Sequence, residues 1–205
     1  FNRFVSGDLD AATILELLVQ YVWSRGTILV SAAGNESVNF NTASSPTGSY
    51  ADSLEWPGGT PHVLSVGATG PIYTGTFQDY DSIAVYSNFG SAGVGVFAPG
   101  GNDGPETVPQ ASLDSIWVIG ACSSANSNCP GQENQYLIGI GTSFASPLVA
   151  GEAAVIKGNT SKSLTPSAIE QCILKNADNV TGKRPDPEYN FGRVNVLKSA
   201  TASGC

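Results

Sequence analysis

Apolar side chains recur at helical spacing near the start of the chain. Ala11, Ile14, Leu15, Leu18 and Val22 share one face, which predicts an amphipathic helix with Asp8 or Asp10 as its cap and Gly26 as its stop. Residues 27–33 follow as a continuous apolar run that ends in Gly34-Asn35. Such a run suits a strand buried on both faces of a parallel sheet. A helix feeding a buried strand that stops at a polar loop is the α/β pattern, in which sites lie beyond the carboxyl ends of strands. Further along, Val63, Leu64 and Val66 read as the core positions of another strand, and residues 70–81 as a hairpin with Asp79 and Asp81 exposed. Thr165 and Pro166 open a helix whose inward positions are Ile169, Cys172, Ile173 and Leu174.

Residues 143–156 have no polar face. Ala145, Leu148, Val149, Ala150, Gly151, Ala153, Ala154, Val155 and Ile156 predict a helix buried all round, with Glu152 as its one charged residue. Pro147 lacks an N–H and is tolerated near a helix start. Ser143 then stands at the helix mouth, where free N–H groups and the helix dipole favour negative charge. Taken alone, Ser143 reads as an N-cap as readily as a reactive hydroxyl.

Composition narrows the field. A chain of 205 residues with 41% hydrophobic and 13% charged residues builds one sizeable core. The balance of 17 acidic against 9 basic residues argues against nucleic-acid phosphates and anionic membranes as partners. No apolar run approaches the ~20 residues that span a bilayer. Four cysteines without C-x-x-C and one histidine make a poor zinc site. Four cysteines allow three pairings, and sequence separation favours Cys122 with Cys129 and Cys172 with Cys205. Paired cysteines place the protein in an oxidising compartment, hence secreted; free buried thiols are the alternative. The triplets Asn159-Thr160-Ser161 and Asn179-Val180-Thr181 suit a secretory route.

The stretch Gly141-Thr142-Ser143-Phe144-Ala145-Ser146-Pro147-Leu148-Val149-Ala150-Gly151 closely resembles the nucleophile motif of the subtilisin-like serine proteases, with every fixed position filled. Ser31-Ala32-Ala33-Gly34-Asn35 resembles the family segment whose asparagine donates to the oxyanion of the tetrahedral intermediate. Acyl transfer needs such a donor because charge develops on the carbonyl oxygen only in the transition state. Losing it costs ~10²–10³ in turnover, a figure that comes from subtilisin itself rather than from these residues. Trp56-Pro57, Tyr86-Ser87-Asn88-Phe89-Gly90, Val96-Phe97-Ala98-Pro99-Gly100 and the segment from Tyr189 to Val196 resemble further family landmarks in the expected order. Residues 101–136 read as a long insertion near the rim of the site.

The resemblance implies a three-layer α/β fold, a mostly parallel sheet with helices on both faces, incomplete in this chain. Residues 1–205 would form the carboxyl-terminal part of a single peptidase domain. In the family the triad runs Asp, His, Ser along the chain, yet no His-Gly-Thr and no Asp-Thr-Gly or Asp-Ser-Gly precedes Ser143. His62, the one histidine, sits at a strand start beside Pro61, where the family places varied residues rather than its base. A hydroxyl without a base is a weak nucleophile, so this chain alone is expected to be close to inert. Because the chain lacks methionine and begins at Phe1, an upstream segment or companion chain is expected to supply Asp and His. A propeptide is a further partner the resemblance allows.

By the same resemblance Gly34, Glu36 and Glu55 border the pocket for the substrate side chain before the scissile bond. Two carboxylates there favour Arg or Lys; alternatively one or both point to solvent. No cofactor is required. At Gly95 the family often carries an aspartate that helps hold calcium, and glycine supplies no carboxylate, so that site is not expected, while structural calcium elsewhere stays open. Phe144 replaces an oxidisable methionine. The related serine-carboxyl proteases share the Gly-Thr-Ser nucleophile but use an aspartate where this chain has Asn35. From another class, a non-catalytic binding or structural module built on a protease fold is the remaining alternative.

Overall fold

A computed structural model of the chain describes residues 9–42, 44–45, 48–49, 57–74, 77–102, 116–119, 136–159, 163–182, 185–203 and 205. In chain order the elements are α1 (Leu9–Ser24), β1 (Leu29–Ala32), β2 (Ser44–Ser45), β3 (Gly48–Ser49), β4 (Val63–Thr69), β5 (Ile72–Thr74) and β6 (Phe77–Asp79). They continue with β7 (Val96–Pro99), β8 (Ile116–Ile119), β9 (Tyr136–Gly139), α2 (Thr142–Asn159), α3 (Pro166–Asn176) and α4 (Val196–Thr201).

The centre is a parallel sheet in the order β1-β4-β7, with Leu29 opposite Val63 and Val66 opposite Val96. Side chains alternate between its faces, as the strand period of two requires. Leu64, Val66, Ala68, Val96 and Ala98 face one way, where they join Ala145, Val149, Ala153 and Ile156 of α2 and Ile169 and Ile173 of α3. Truncating a fully buried member such as Ile173 to alanine is worth about 2–5 kcal/mol. The opposite face carries a smaller cluster of Ala33, Val94 and Phe97, covered by Phe40, Phe89 and Tyr189 from connecting segments. Sheet and helices thus form an incomplete three-layer α/β fold.

The two edges of the sheet differ. Beyond β7 the chain returns at residues 192–194, where Phe97 N–H donates to Gly192 C=O at 2.9 Å and Val194 N–H to Phe97 C=O at 2.8 Å. Among the described residues β1 pairs only with β4, so its outer edge is open.

Helix α3 follows the sequence expectation closely. The Thr165 hydroxyl accepts from Ala168 N–H at 3.2 Å, Pro166 starts the first turn, and Ile169, Cys172, Ile173 and Leu174 are buried. Cys172 and Cys205 form a disulfide with 5.7 Å between their Cα atoms, which pins the carboxyl end to this helix. Cys122 and Cys129 lie outside the described residues, as do Asp8 and Glu55. The hairpin expected over residues 70–81 is β5 paired antiparallel with β6.

Three expectations need correction. The apolar stripe of α1 is not buried: Ile14 is 59% and Leu18 52% exposed, Leu15 is exposed as well, and Val19 makes the buried contact instead. Helix α2 is buried on one face alone. Leu148, Ala150, Ala154 and Val155 are exposed because the sheet, α3 and α4 cover only the side of Ala145, Val149 and Ala153. Asp79 and Asp81 are only partly exposed, because each is drawn into a polar contact: Asp79 accepts from Asp81 N–H and the Ser82 hydroxyl, and Asp81 pairs with Arg193.

Glu152 is 1% exposed. The Ser199 hydroxyl of α4 donates to its Oε1 at 2.5 Å, while Oε2 has no partner. Burial raises its carboxyl above the ordinary 4.5, and the bond from Ser199 opposes that shift.

Candidate functional site

The carboxyl ends of the three parallel strands converge on the start of α2. β1 leads through Ala33 and Gly34 to Asn35, β4 ends at Thr69, and β7 ends at Pro99 before Gly100. Backbone bonds lock these ends together: Gly100 N–H donates to Thr69 C=O at 2.8 Å, and Gly141 N–H donates to Gly100 C=O at 2.9 Å. This is where an open α/β sheet presents its site.

Thr142 joins the two motifs read from the sequence. Its N–H donates to Asn35 Oδ1 at 2.9 Å and its hydroxyl to the same oxygen at 3.0 Å. The hydroxyl in turn accepts from Gly34 N–H at 3.1 Å. Both lone-pair directions of the Asn35 carbonyl are therefore engaged, which sets the amide plane and leaves Nδ2 as the unused donor. Among the described residues neither Asn35 Nδ2 nor the Ser143 N–H has an acceptor. Ser143 itself is exposed in the first turn of α2, while Thr142 beneath it is fully buried. Thr142, which entered the sequence reading only as one position of the nucleophile motif, is thus the link between nucleophile and donor.

Glu36 does not extend freely into solvent. Its Oε2 accepts from Asn88 Nδ2 at 2.9 Å. The same nitrogen donates to Ala33 C=O at 2.8 Å, and Asn88 Oδ1 accepts from Glu36 N–H at 3.1 Å and Val38 N–H at 2.8 Å. Asn88 is 2% exposed, so one buried amide spends its whole bonding capacity on the loop that carries Asn35 and Glu36. The landmark Tyr86-Ser87-Asn88-Phe89-Gly90 contained this residue, but its role depends on a contact across more than fifty residues.

His62 lies far from this cluster. It precedes β4, whose other end borders the site, and seven residues at ~3.3 Å each separate the two ends by roughly 20 Å. Its ring stacks on Trp23 of α1 with centroids 4.9 Å apart, and it faces Glu170 of α3, whose carboxyl burial raises and His62 lowers. At Gly95 a β-carbon would sit 2.7 Å from Leu64 Cδ1, so the position is filled by core packing. Among the described residues no group of three His, Cys, Asp or Glu side chains is placed to hold a metal.

The fold has counterparts among known proteins. The Subtilase family model of peptidases matches residues 6–192. The Thermophilic serine proteinase of Bacillus sp. (strain AK1) is 30% identical over 189 residues, which are 92% of this chain and 34% of that protein. The Extracellular protease of Xanthomonas campestris pv. campestris is 31% identical over 202 residues, 98% of this chain and 28% of that protein. The chain therefore spans about a third of the length of the curated relatives it matches. Among solved structures, a lanthipeptide protease superposes with a TM-score of 0.73 at 22% identity, covering 97% of this chain and 57% of that one. Fervidolysin from Fervidobacterium pennivorans gives 0.63 at 23% identity, covering 92% and 24% respectively. At these identities the structures speak for the fold, and the family model speaks for descent: the chain belongs to the subtilase family.

Proposed function

We propose that this chain is the nucleophile-bearing part of a secreted serine endopeptidase. The observation that carries the reading is the Asn35 amide, locked by Thr142 one residue before an exposed Ser143. In this scheme Ser143 Oγ attacks the scissile carbonyl carbon and its proton passes to a histidine of an upstream segment. The oxyanion that forms is held by Asn35 Nδ2 and the Ser143 N–H, neither of which has an acceptor among the described residues. Collapse of the intermediate breaks the C–N bond as the histidine returns the proton to the leaving amine. Water then hydrolyses the Ser143 ester by the same route in reverse.

The need for an upstream segment carrying Asp and His draws support from the surface. Among the described residues the outer edge of β1 is unpaired, and Ile14, Leu17, Leu18 and Tyr21 on α1 and Leu148 and Val155 on α2 are exposed apolar side chains. Together they fit a further part of the same sheet and its helices. Relatives named as extracellular proteases, together with the Cys172–Cys205 disulfide, support secretion. Polypeptides are the substrates, and the family resemblance assigns Gly34, Glu36 and Glu55 to the pocket that selects the residue before the scissile bond. Glu36, held by Asn88, favours Arg or Lys there.

A fluorophosphonate probe tests the reading on the assembled protein, chain plus upstream segment. Labelling at Ser143 that Ser143→Ala abolishes is the expected result. A folded, assembled protein that takes up no label is a binding or structural module instead. Cleavage after Arg compared with cleavage after Phe tests the pocket separately, and equal rates overturn the acidic selection.

A further inference from the structure

We propose that Tyr86 is a positioning residue for the nucleophile, its phenol fixing the glycine turn from which Ser143 projects. The inference rests on the proteolytic reading of Ser143 and concerns a side chain outside the motif that identifies it.

The phenol oxygen of Tyr86 sits at a junction of three glycine peptides. Its single proton is shared between Gly100 C=O and Gly101 C=O, each at 2.8 Å. Gly100 C=O also accepts from Gly141 N–H at 2.9 Å. The hydroxyl therefore fixes the carbonyl after β7 to which Gly141, the residue that precedes Thr142 and Ser143, is hydrogen-bonded. The approach is too close for side chains. A β-carbon on Gly100 would stand 2.8 Å from Gly141 C=O, 2.6 Å from Ala68 Cβ and 3.0 Å from the Tyr86 hydroxyl. Burial raises the Tyr86 phenol to about 12, so it remains a proton donor across the pH range in which the protein is folded.

The path from this junction to the chemistry is short. Gly141 is fixed against Gly100, Thr142 follows with both of its donors on Asn35, and Ser143 comes next. Without the hydroxyl, two carbonyls lose their shared donor and the turn gains freedom that the Gly141–Gly100 bond alone restrains. A displacement on the order of 1 Å at a reacting atom costs ~10²-fold in rate, so loosening this turn reaches the attack step without touching substrate.

Tyr86→Phe removes the hydroxyl and keeps the ring. In the assembled protein, kcat and the rate of fluorophosphonate labelling are expected to fall about 10–100-fold. KM stays within about twofold, measured well below the Tm of either protein. A purely structural role lowers Tm and leaves the labelling rate of folded protein unchanged, which overturns the inference. Wild-type protein that takes no label defeats the proteolytic reading itself, a distinct outcome. Amide exchange at Gly141 in the wild type gives a measurement independent of any variant. Protection of at least about 100-fold is expected for a clamped turn, and exchange at the rate of an open loop overturns the proposal.

Discussion

Asn88 and Glu36 are bound to each other twice: the Asn88 amide donates to the Glu36 carboxylate at 2.9 Å, and the Asn88 carbonyl accepts from the Glu36 N–H at 3.1 Å. The side chain proposed to select substrate and the backbone that presents it thus share one buried support. Asn88→Ala would leave Glu36 N–H, Val38 N–H and Ala33 C=O without that partner. Each stranded buried group costs about 1–3 kcal/mol, partly recovered where water enters. The expected loss is about 2–4 kcal/mol, read as a fall in Tm of roughly 5–15 °C for a chain of this size. The ratio of cleavage after Arg to cleavage after Phe should fall with it, because the carboxylate is no longer held. An unchanged ratio in folded variant would mean that Glu36 does not depend on Asn88.

Thr142 offers a cleaner separation. Thr142→Val keeps the backbone N–H on Asn35 Oδ1 and the side-chain shape, but removes the hydroxyl that bridges Asn35 and Gly34. One neutral hydrogen bond is worth about 1 kcal/mol, which corresponds to roughly a fivefold to tenfold loss of kcat if it serves only to aim Nδ2. Thr142→Ser should restore most of the rate. Steady-state kinetics on the pair decides it, since equal rates for the Val and Ser variants would remove the hydroxyl from the mechanism.

The two segments that carry Ser143 and Asn35 could be picked out in the sequence because each is a local run, and α3 was legible because Thr165, Pro166 and its apolar spacing all agree. Thr142 as the link between them was not, because a contact across 107 residues leaves no periodic signal. Nor were the roles of Asn88 and Tyr86, which depend on strand ends brought together only by the fold. The exposed faces of α1 and α2 were misread for a related reason. Periodicity identifies a surface suited to burial, and Ile14 or Leu148 carries no information about which chain supplies the cover.

Glu152 sets a pH dependence. Its carboxyl is raised in the folded state by burial, so the folded protein binds this proton more tightly than the unfolded chain does. Stability is therefore fully present below the ordinary 4.5 and declines as pH rises above it, as the buried group is forced to ionise. Glu152→Gln keeps an acceptor for Ser199 and cannot ionise. Its Tm is expected to match or exceed that of the wild type, with the difference widening from acid towards alkaline pH. A gap that stays constant with pH would show that Glu152 is not the titrating group.

Asp178 acts in the opposite sense. Burial pushes its carboxyl up, but hydrogen bonds from Lys198, Arg193 and Asn195 outweigh that effect and bring it down from 3.8 to about 2. A depressed folded value stabilises above 3.8 and is lost as pH falls through about 2, an effect that solvent screening of this partly exposed cluster reduces. The bonds run from Arg193 at 2.9 Å and from Lys198 at 2.5 Å, so they tie the start of α4 to the end of α3. Asp178→Asn should remove this part of the acid transition while costing stability at neutral pH. Thermal melts from pH 2 to 7 check it, and an unchanged acid limb would assign that limb to other carboxylates.

The exposed stripe of α1 separates a covered helix from a solvated one. Leu17 is 60% and Tyr21 61% exposed, an arrangement that ordinary surface helices avoid in favour of polar residues. If an upstream segment packs here, Leu17→Glu would place a charge in an apolar contact and cost several kcal/mol in the assembled protein. If the stripe faces water, the same change would fall within about 0.5 kcal/mol, as surface substitutions usually do. The expected outcome is a clear loss of assembled, probe-reactive protein for Leu17→Glu and little change for Gln20→Glu, an exposed polar position on the same helix. Gel filtration of the two variants beside the wild type provides the measurement. Identical behaviour of all three would leave α1 a solvent-facing helix and would move the upstream contact to β1 and α2.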